Sequence, residues 1–171
     1  MIKALIVDQA DDDSVSASIH EIEASQLPDD GEVDIAVEYS TINYKDGLCL
    51  NGLGRLVRNY PHVPGIDLAG TVISSRADGI AAGDRVTMNG FRSGEIRWGG
   101  YATRANGKAE WIVKLPNGMS TRHSQMLGTA GFTAMQSILR LEANGMTPDG
   151  GEVLVTLSLI HISEPTRRAL I

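Results

Sequence analysis

An amide, a phenol, an amine and a carboxylate stand in four consecutive positions, Asn43, Tyr44, Lys45 and Asp46. They close the stretch Tyr39-Ser40-Thr41-Ile42-Asn43-Tyr44-Lys45-Asp46, which ends an alternating apolar pattern and opens a polar segment. That is where a strand hands over to a site. On residue type alone, Tyr44 serves equally as an aromatic packing a loop, and Asn43 equally satisfies a turn. Lys45 and Asp46 are expected to pair locally and fix the loop that carries Tyr44.

Metal chemistry finds little support in the residue types. Asp11-Asp12-Asp13 and Asp29-Asp30 read as solvated acidic turns. His20, His62 and His123 share no ligand spacing and are expected at the surface or in caps. Cys49, the one cysteine, is expected as a small buried hydrophobe, and it excludes an internal disulfide framework. With 15 Lys+Arg against 21 Asp+Glu the net charge is −6. That balance argues against a general nucleic-acid or anionic-membrane binder, which needs a basic face. No apolar run reaches the roughly 20 residues of a membrane-spanning helix, and the N-terminus lacks a basic region followed by an apolar core. A cytoplasmic location is expected.

The elements that must position these groups read as mainly β with some α. Ala4-Leu5-Ile6-Val7 is a buried-strand candidate, and Ser14 to Glu23 alternates imperfectly. Val33, Ile35, Val37 and Tyr39 are spaced by two with Asp34 and Glu38 between, the clearest half-buried strand. Gly47 to Gly54 reads as a glycine-rich loop. Pro64 to Ile73 reads as a turn and then a strand, with small residues where another backbone comes close. Ala82 to Met88 repeats that grammar, and Trp98–Ala102 and Trp111–Pro116 give two more short strands. Short strands punctuated by Gly and Pro imply a closed or nearly closed β architecture. After Pro116, Ser120 or Thr121 can cap a helix whose apolar positions run from Met126 to Leu141. Gly128 and Gly131 predict two short helices or a kink there, and Gly145 a C-terminal stop. Glu152-Val153-Leu154-Val155-Thr156 then suits a buried parallel strand.

Five of these pieces, in this order and spacing, resemble the medium-chain dehydrogenase/reductase superfamily, in particular its zinc-free quinone oxidoreductase and acryloyl-CoA reductase branch. They are Asn43-Tyr44-Lys45-Asp46, Pro64 to Val72, Gly83-Asp84-Arg85-Val86, Trp98-Gly99-Gly100 and Gly128 to Met135. The resemblance implies a GroES-like β-barrel catalytic domain over 1–120, then a linking helix and the first Rossmann strand over 121–156. It implies NADPH as cofactor and hydride transfer to an activated carbon–carbon double bond, acryloyl-CoA being the favoured substrate. A quinone is the alternative substrate, and a stand-alone GroES-like binding module the alternative without catalysis. The whole protein is expected to be a homodimer.

By the same resemblance Tyr44 is the catalytic candidate. Its hydroxyl would lie beside the cofactor, orienting the nicotinamide or a water that supplies the proton. Asn43, Tyr44 and Thr129 are the implied cofactor-binding residues. A zinc-dependent relative would carry a thiolate at Tyr44 and Gly-His-Glu at Gly65-Ile66-Asp67. Isoleucine cannot ligate, and a catalytic zinc needs three protein ligands, so none is expected. The family's glycine-rich pyrophosphate turn is due directly after Thr156. Leu157 to Arg167 contains no glycine and is similar to the in-frame translation of a transposase adapter used in preparing sequencing libraries. Residues 157–171 are therefore expected to be non-native, and the chain a fragment without turnover of its own.

Overall fold

Among the described residues, seven strands and two α-helices follow one another. The structure, a computed structural model, describes residues 1–151. The expected Glu152–Thr156 strand and the Leu157–Arg167 run lie outside the described residues. Contacts divide the chain into two compact units, Met1–Gly128 and Thr129–Ile171.

In the first unit, β1 (Ile2–Gln9) and β2 (Val15–Ile22) form an antiparallel hairpin. A five-stranded antiparallel sheet has the order β6-β3-β4-β5-β7, made of β3 (Val33–Tyr39), β4 (Asp67–Ser75), β5 (Arg85–Asn89), β6 (Arg104–Gly107) and β7 (Val113–Lys114). The free edge of β1 joins the hairpin to the rest. The Leu5 N–H donates to the Tyr101 carbonyl at 2.8 Å, and Val7 and His62 exchange backbone bonds at 2.7 and 2.9 Å. The segment entering β6 thus faces β1 on one side and β3 on the other, the nearly closed arrangement expected from the strand spacing.

Two apolar clusters result. Val33, Ile35, Leu68, Val72, Val86, Met88 and Ala105 fill the interior of the larger sheet. Ile2, Ala4, Ile6, Ile22, Val63 and Ala102 form the second cluster, under the hairpin. The alternation in β3 holds at Val33 and Ile35. Asp34 between them is buried as well, because the Arg104 guanidinium neutralises it from β6 through two hydrogen bonds, one at 2.7 Å. Toward its end β3 slips register against β4 between Val37 and Tyr39. Such an irregularity re-aims the strand where it leaves for the site.

Several local expectations change. The supposed loop after Asp46 is helix α1 (Tyr44–Leu50), since Asn43 and Asp46 cap its first turn and hold Gly47 in helical form. Trp98–Ala102 is not a strand, because its backbone donors go to the 63–65 turn: Gly99 to Val63, Gly100 to Gly65 and Tyr101 to Pro64. Only Val113 and Lys114 of the second short run are extended into a ladder.

Helix α2 (Thr121–Ala143) starts in the first unit, where Ser120 Oγ accepts the His123 N–H at 3.1 Å. It breaks at Gly128, whose φ of 53° and ψ of −161° are non-helical, at one of the two predicted glycines. In the second unit it ends as expected at Gly145, φ 90°. There the Gly145 and Met146 N–H groups return to the Glu142 and Leu141 carbonyls at 2.9 and 3.1 Å, a Schellman ending.

Candidate active site

The first unit gathers the Asn43–Asp46 stretch around two buried carboxylates, Asp46 and Asp67, both fully shielded from solvent. Asp46 is the third residue of α1 and takes backbone donors from two directions. Its Oδ2 accepts the Asn43 N–H at 2.8 Å, and its Oδ1 accepts the Gly65 and Ile66 N–H groups at 3.1 and 3.0 Å. The first bond is the carboxylate half of a capping box; the other two lock the Pro64–Ile66 turn against the helix. Burial nevertheless raises the Asp46 pKa, with the N–H donors of Asn43 and Ile66 opposing.

Asp67 opens β4 and collects side-chain donors. Thr41 Oγ1 and Asn43 Nδ2 donate to its Oδ2 at 2.7 and 3.1 Å, and Asn89 Nδ2 donates to its Oδ1 at 2.9 Å. Asn43 Nδ2 also donates to Thr41 Oγ1 at 2.6 Å. Ser40 Oγ donates to the Asp67 carbonyl at 2.7 Å, and the Tyr101 hydroxyl to the Thr41 carbonyl at 2.9 Å. Burial, then the nearby Asp46 charge, pushes the Tyr101 phenol up, so it stays protonated as a donor. Gly128 is buried against this network. A Cβ there would lie 2.9 Å from Thr41 Cγ2 and 3.1 Å from Asp67 Oδ2, and its positive φ would add strain.

Tyr44 projects from this rigid base at the first position of α1 and is 77% exposed. Among the described residues none hydrogen-bonds its hydroxyl. Ile42 beside it is 91% exposed. A groove of about 370 Å³, lined by Leu5, Ile19, Val37, Tyr39, Ser40 and Tyr101 among others, opens next to the Thr41 end of the stretch.

The structure therefore brings Asn43 and Tyr44 together with different duties. Both Asn43 amide hydrogens are directed at Thr41 and Asp67, so it fixes the base from which Tyr44 projects. Thr129, the third expected residue, opens the second unit. It is half-buried, and its carbonyl accepts the Thr133 hydroxyl at 2.9 Å. The expected Lys45–Asp46 pair does not form. Adjacent helical residues point about 100° apart; Asp46 turns inward to N–H groups, and Lys45 reaches Glu95 at 2.8 Å. Cys49 is buried as expected and donates to the Gly94 carbonyl at 3.2 Å. Burial, then the Asp46 and Glu95 charges, raises its pKa to about 11, which leaves it an unreactive thiol. His62 departs from the surface expectation, because its backbone pairs with Val7 and carries the ring inside; burial lowers its pKa.

Thr41, Asp67, Asn89 and Tyr101 escaped sequence reading as site residues. Each is ordinary alone, and a sheet crossing of 20 or more residues brings them together. The available signal was Asp67 itself, an acid in the segment Gly65-Ile66-Asp67-Leu68-Ala69-Gly70 that otherwise reads as a buried strand entry.

A family model for the alcohol dehydrogenase GroES-like domain matches residues 29–117. The chain belongs to this family. Within it, the chain is 51% identical to acrylyl-CoA reductase AcuI of Ruegeria pomeroyi over 91% of its own length and 47% of the relative's. The crystal structure of the Salmonella enterica yhdH oxidoreductase in complex with NADP superposes with a TM-score of 0.83 at 45% identity. It covers 87% of this chain and 45% of that one. The Bacillus subtilis yhfP structure with NAD bound gives 0.82 at 43% identity, covering 88% and 45%. The chain thus spans about half the length of these relatives. The GroES-like assignment and the medium-chain dehydrogenase/reductase resemblance drawn from the motifs agree.

Proposed function

We propose that this chain supplies the catalytic domain of an NADPH-dependent reductase acting on an activated carbon–carbon double bond, with acryloyl-CoA as substrate. The observation that carries the reading is Tyr44. An exposed phenol stands on a helix whose cap, turn and underlying carboxylates are all buried and hydrogen-bonded, so that one group is presented and the rest hold it. The similarity to an acrylyl-CoA reductase and to an NADP-bound oxidoreductase supports this choice of chemistry.

The donor set fits the nicotinamide end of such a cofactor. Tyr44 offers a hydrogen-bonding face next to the apolar Ile42, and Thr129 remains a proposed cofactor-binding residue. When bound, the cofactor supplies the hydride. The protein's part is to hold the acceptor carbon and to stabilise the enolate oxygen charge that develops on the substrate. In this proposal the Tyr44 hydroxyl orients the nicotinamide or a water that returns a proton to the α-carbon. Asn43 acts on the cofactor side through Tyr44, as the cap that sets its position. Homodimerisation and a cytoplasmic location are part of the same proposal.

NADPH fluorescence titrated with a protein of the relatives' full length that carries this domain tests the binding half. Saturable binding that Tyr44→Phe weakens by about three- to tenfold, a lost hydrogen bond's worth, is the expected result. Equal binding by both proteins would remove Tyr44 from the site. The substrate half is tested on the same full-length protein, by NADPH oxidation with acryloyl-CoA against a quinone. Turnover of the quinone alone would replace the enoyl substrate by the quinone class.

A further inference from the structure

The loop leaving β5 carries a feature that the proposed hydride chemistry does not use. Gly90, Phe91, Arg92 and Gly94 all have left-handed backbone, with φ of 83°, 52°, 63° and 72°. Two of them are consecutive non-glycine residues, a rare arrangement kept where surrounding structure enforces it and often found at ligand sites. Its result is visible. Phe91 is 53% exposed and stacks on Trp111, with centroids 5.7 Å apart and planes within 15°. Arg97 and Lys108 lie over the Trp111 ring at 4.9 and 5.3 Å.

The charges around this platform are unequally committed. Arg97 pairs with Asp30. Arg92 is 3.9 Å from Glu95, whose carboxylate is taken more closely by Lys45. Lys108 makes no ion pair within 4 Å among the described residues. It acts on Glu32, which already accepts the Ala109 N–H, and Glu110 follows it in the same short turn. An exposed phenyl ring stacked on a tryptophan, a lysine over that tryptophan outside any ion pair, and a half-committed guanidinium next along the chain match an adenine ring bearing a phosphate.

The loop is also tied at both ends to the candidate active site. Asn89 bonds Asp67 at its start, and Glu95 holds Lys45, the neighbour of Tyr44, at its end. Phe91 lies two residues from Asn89, at most about 7 Å of backbone. A ligand on the platform is therefore close enough to reach Tyr44 with a flexible arm.

We propose that Phe91, stacked on Trp111, together with Lys108 and Arg92 binds the 3′-phosphoadenosine end of coenzyme A, leaving the pantetheine arm to carry the acyl group toward Tyr44. The choice of coenzyme A over the 2′-phosphoadenosine of NADPH rests on the acyl-CoA reading above.

Tryptophan fluorescence of the 171-residue chain, titrated with coenzyme A, dephospho-coenzyme A, pantetheine and NADPH, is the test. Coenzyme A is expected to bind saturably, with pantetheine weaker. Phe91→Ala should weaken it between about fivefold and a hundredfold, the range for loss of an aromatic base-stacking partner, while Phe91→Tyr retains it. Lys108→Ala should reduce the preference for coenzyme A over dephospho-coenzyme A. Unchanged melting of both variants shows that the fold is intact. Equal affinity for pantetheine, or for coenzyme A in the wild type and Phe91→Ala, overturns the proposal. A Phe91-dependent site that prefers NADPH overturns the choice of ligand. Tyr44-dependent NADPH binding is read separately, so its survival alongside failed coenzyme A binding sinks the platform and leaves the reductase reading standing.

Discussion

Three buried polar residues meet burial in three ways, and pH separates Asp46 from His62. Asp67 is surrounded by side-chain donors, Asp46 by backbone donors, and His62 keeps an Nε2 atom with no hydrogen-bond partner among the described residues. A histidine whose folded pKa is lowered binds fewer protons folded than unfolded. Its stabilising contribution is complete above the unfolded value of 6.5 and is lost as the pH falls from there toward the folded value. Asp46 has the opposite sign: a raised carboxyl contributes less as the pH climbs above 3.8. His62 should therefore make the melting temperature fall as the pH drops below 6.5, and His62→Gln should flatten that slope. The hydrogen-bonded carboxyls Glu38 and Asp84, whose pKa values are lowered, act only at lower pH, beneath their unfolded values of 4.5 and 3.8. An unchanged slope in His62→Gln would show that another group titrates. Nothing in the sequence around His62 foretold this burial, because the bridge to Val7 that causes it spans 55 positions.

At the scale of elements, legibility followed locality. Strands β3, β4 and β5 were readable from period-two alternation and from turn residues next to them. The Gly128 break and the Gly145 stop were readable because glycine marks backbone that other residues resist. Helix α1 was hidden because Gly47, Gly52 and Gly54 make its surroundings look like a loop; its signal is the pair Asn43 and Asp46, three apart, at the cap. Two glycines test this contrast between composition and environment. Gly70 lies in β4 where an added Cβ would sit 1.9 Å from the Ala36 carbonyl oxygen, across the central ladder. Gly47 lies in α1 with nothing within 4 Å of such a Cβ. Urea unfolding should show Gly70→Ala losing about 1–3 kcal/mol, as overpacking does. Gly47→Ala should gain up to about 1 kcal/mol of helix propensity. Similar effects at both positions would mean that the sheet relaxes around Gly70, and that the small-residue reading of Pro64 to Gly70 misjudged the approach.

On the scale of the whole molecule, the two units differ in how they use apolar residues. The first has two closed clusters, yet leaves Ile42, Tyr44, Met126 and Leu127 exposed; the second exposes Phe132, Met135, Ile138, Leu139 and Leu141 along one helix. Contiguous apolar surface of this kind is uncommon on an isolated soluble chain and marks a surface made to be covered. The relatives are about twice as long, and the network under Tyr44 is built from β-sheet contacts within the first unit. Those two facts predict separate behaviour for the units. The purified chain should bind a hydrophobic dye and associate as its concentration rises, while the first unit keeps its cooperative unfolding. Placing charge on the helix with Phe132→Glu and Leu139→Lys should suppress association, seen by light scattering, without altering the first unit's stability by more than about 0.5 kcal/mol, the usual limit for surface changes away from packed features. A chain that stays monomeric and binds no dye would show that its apolar residues are already covered.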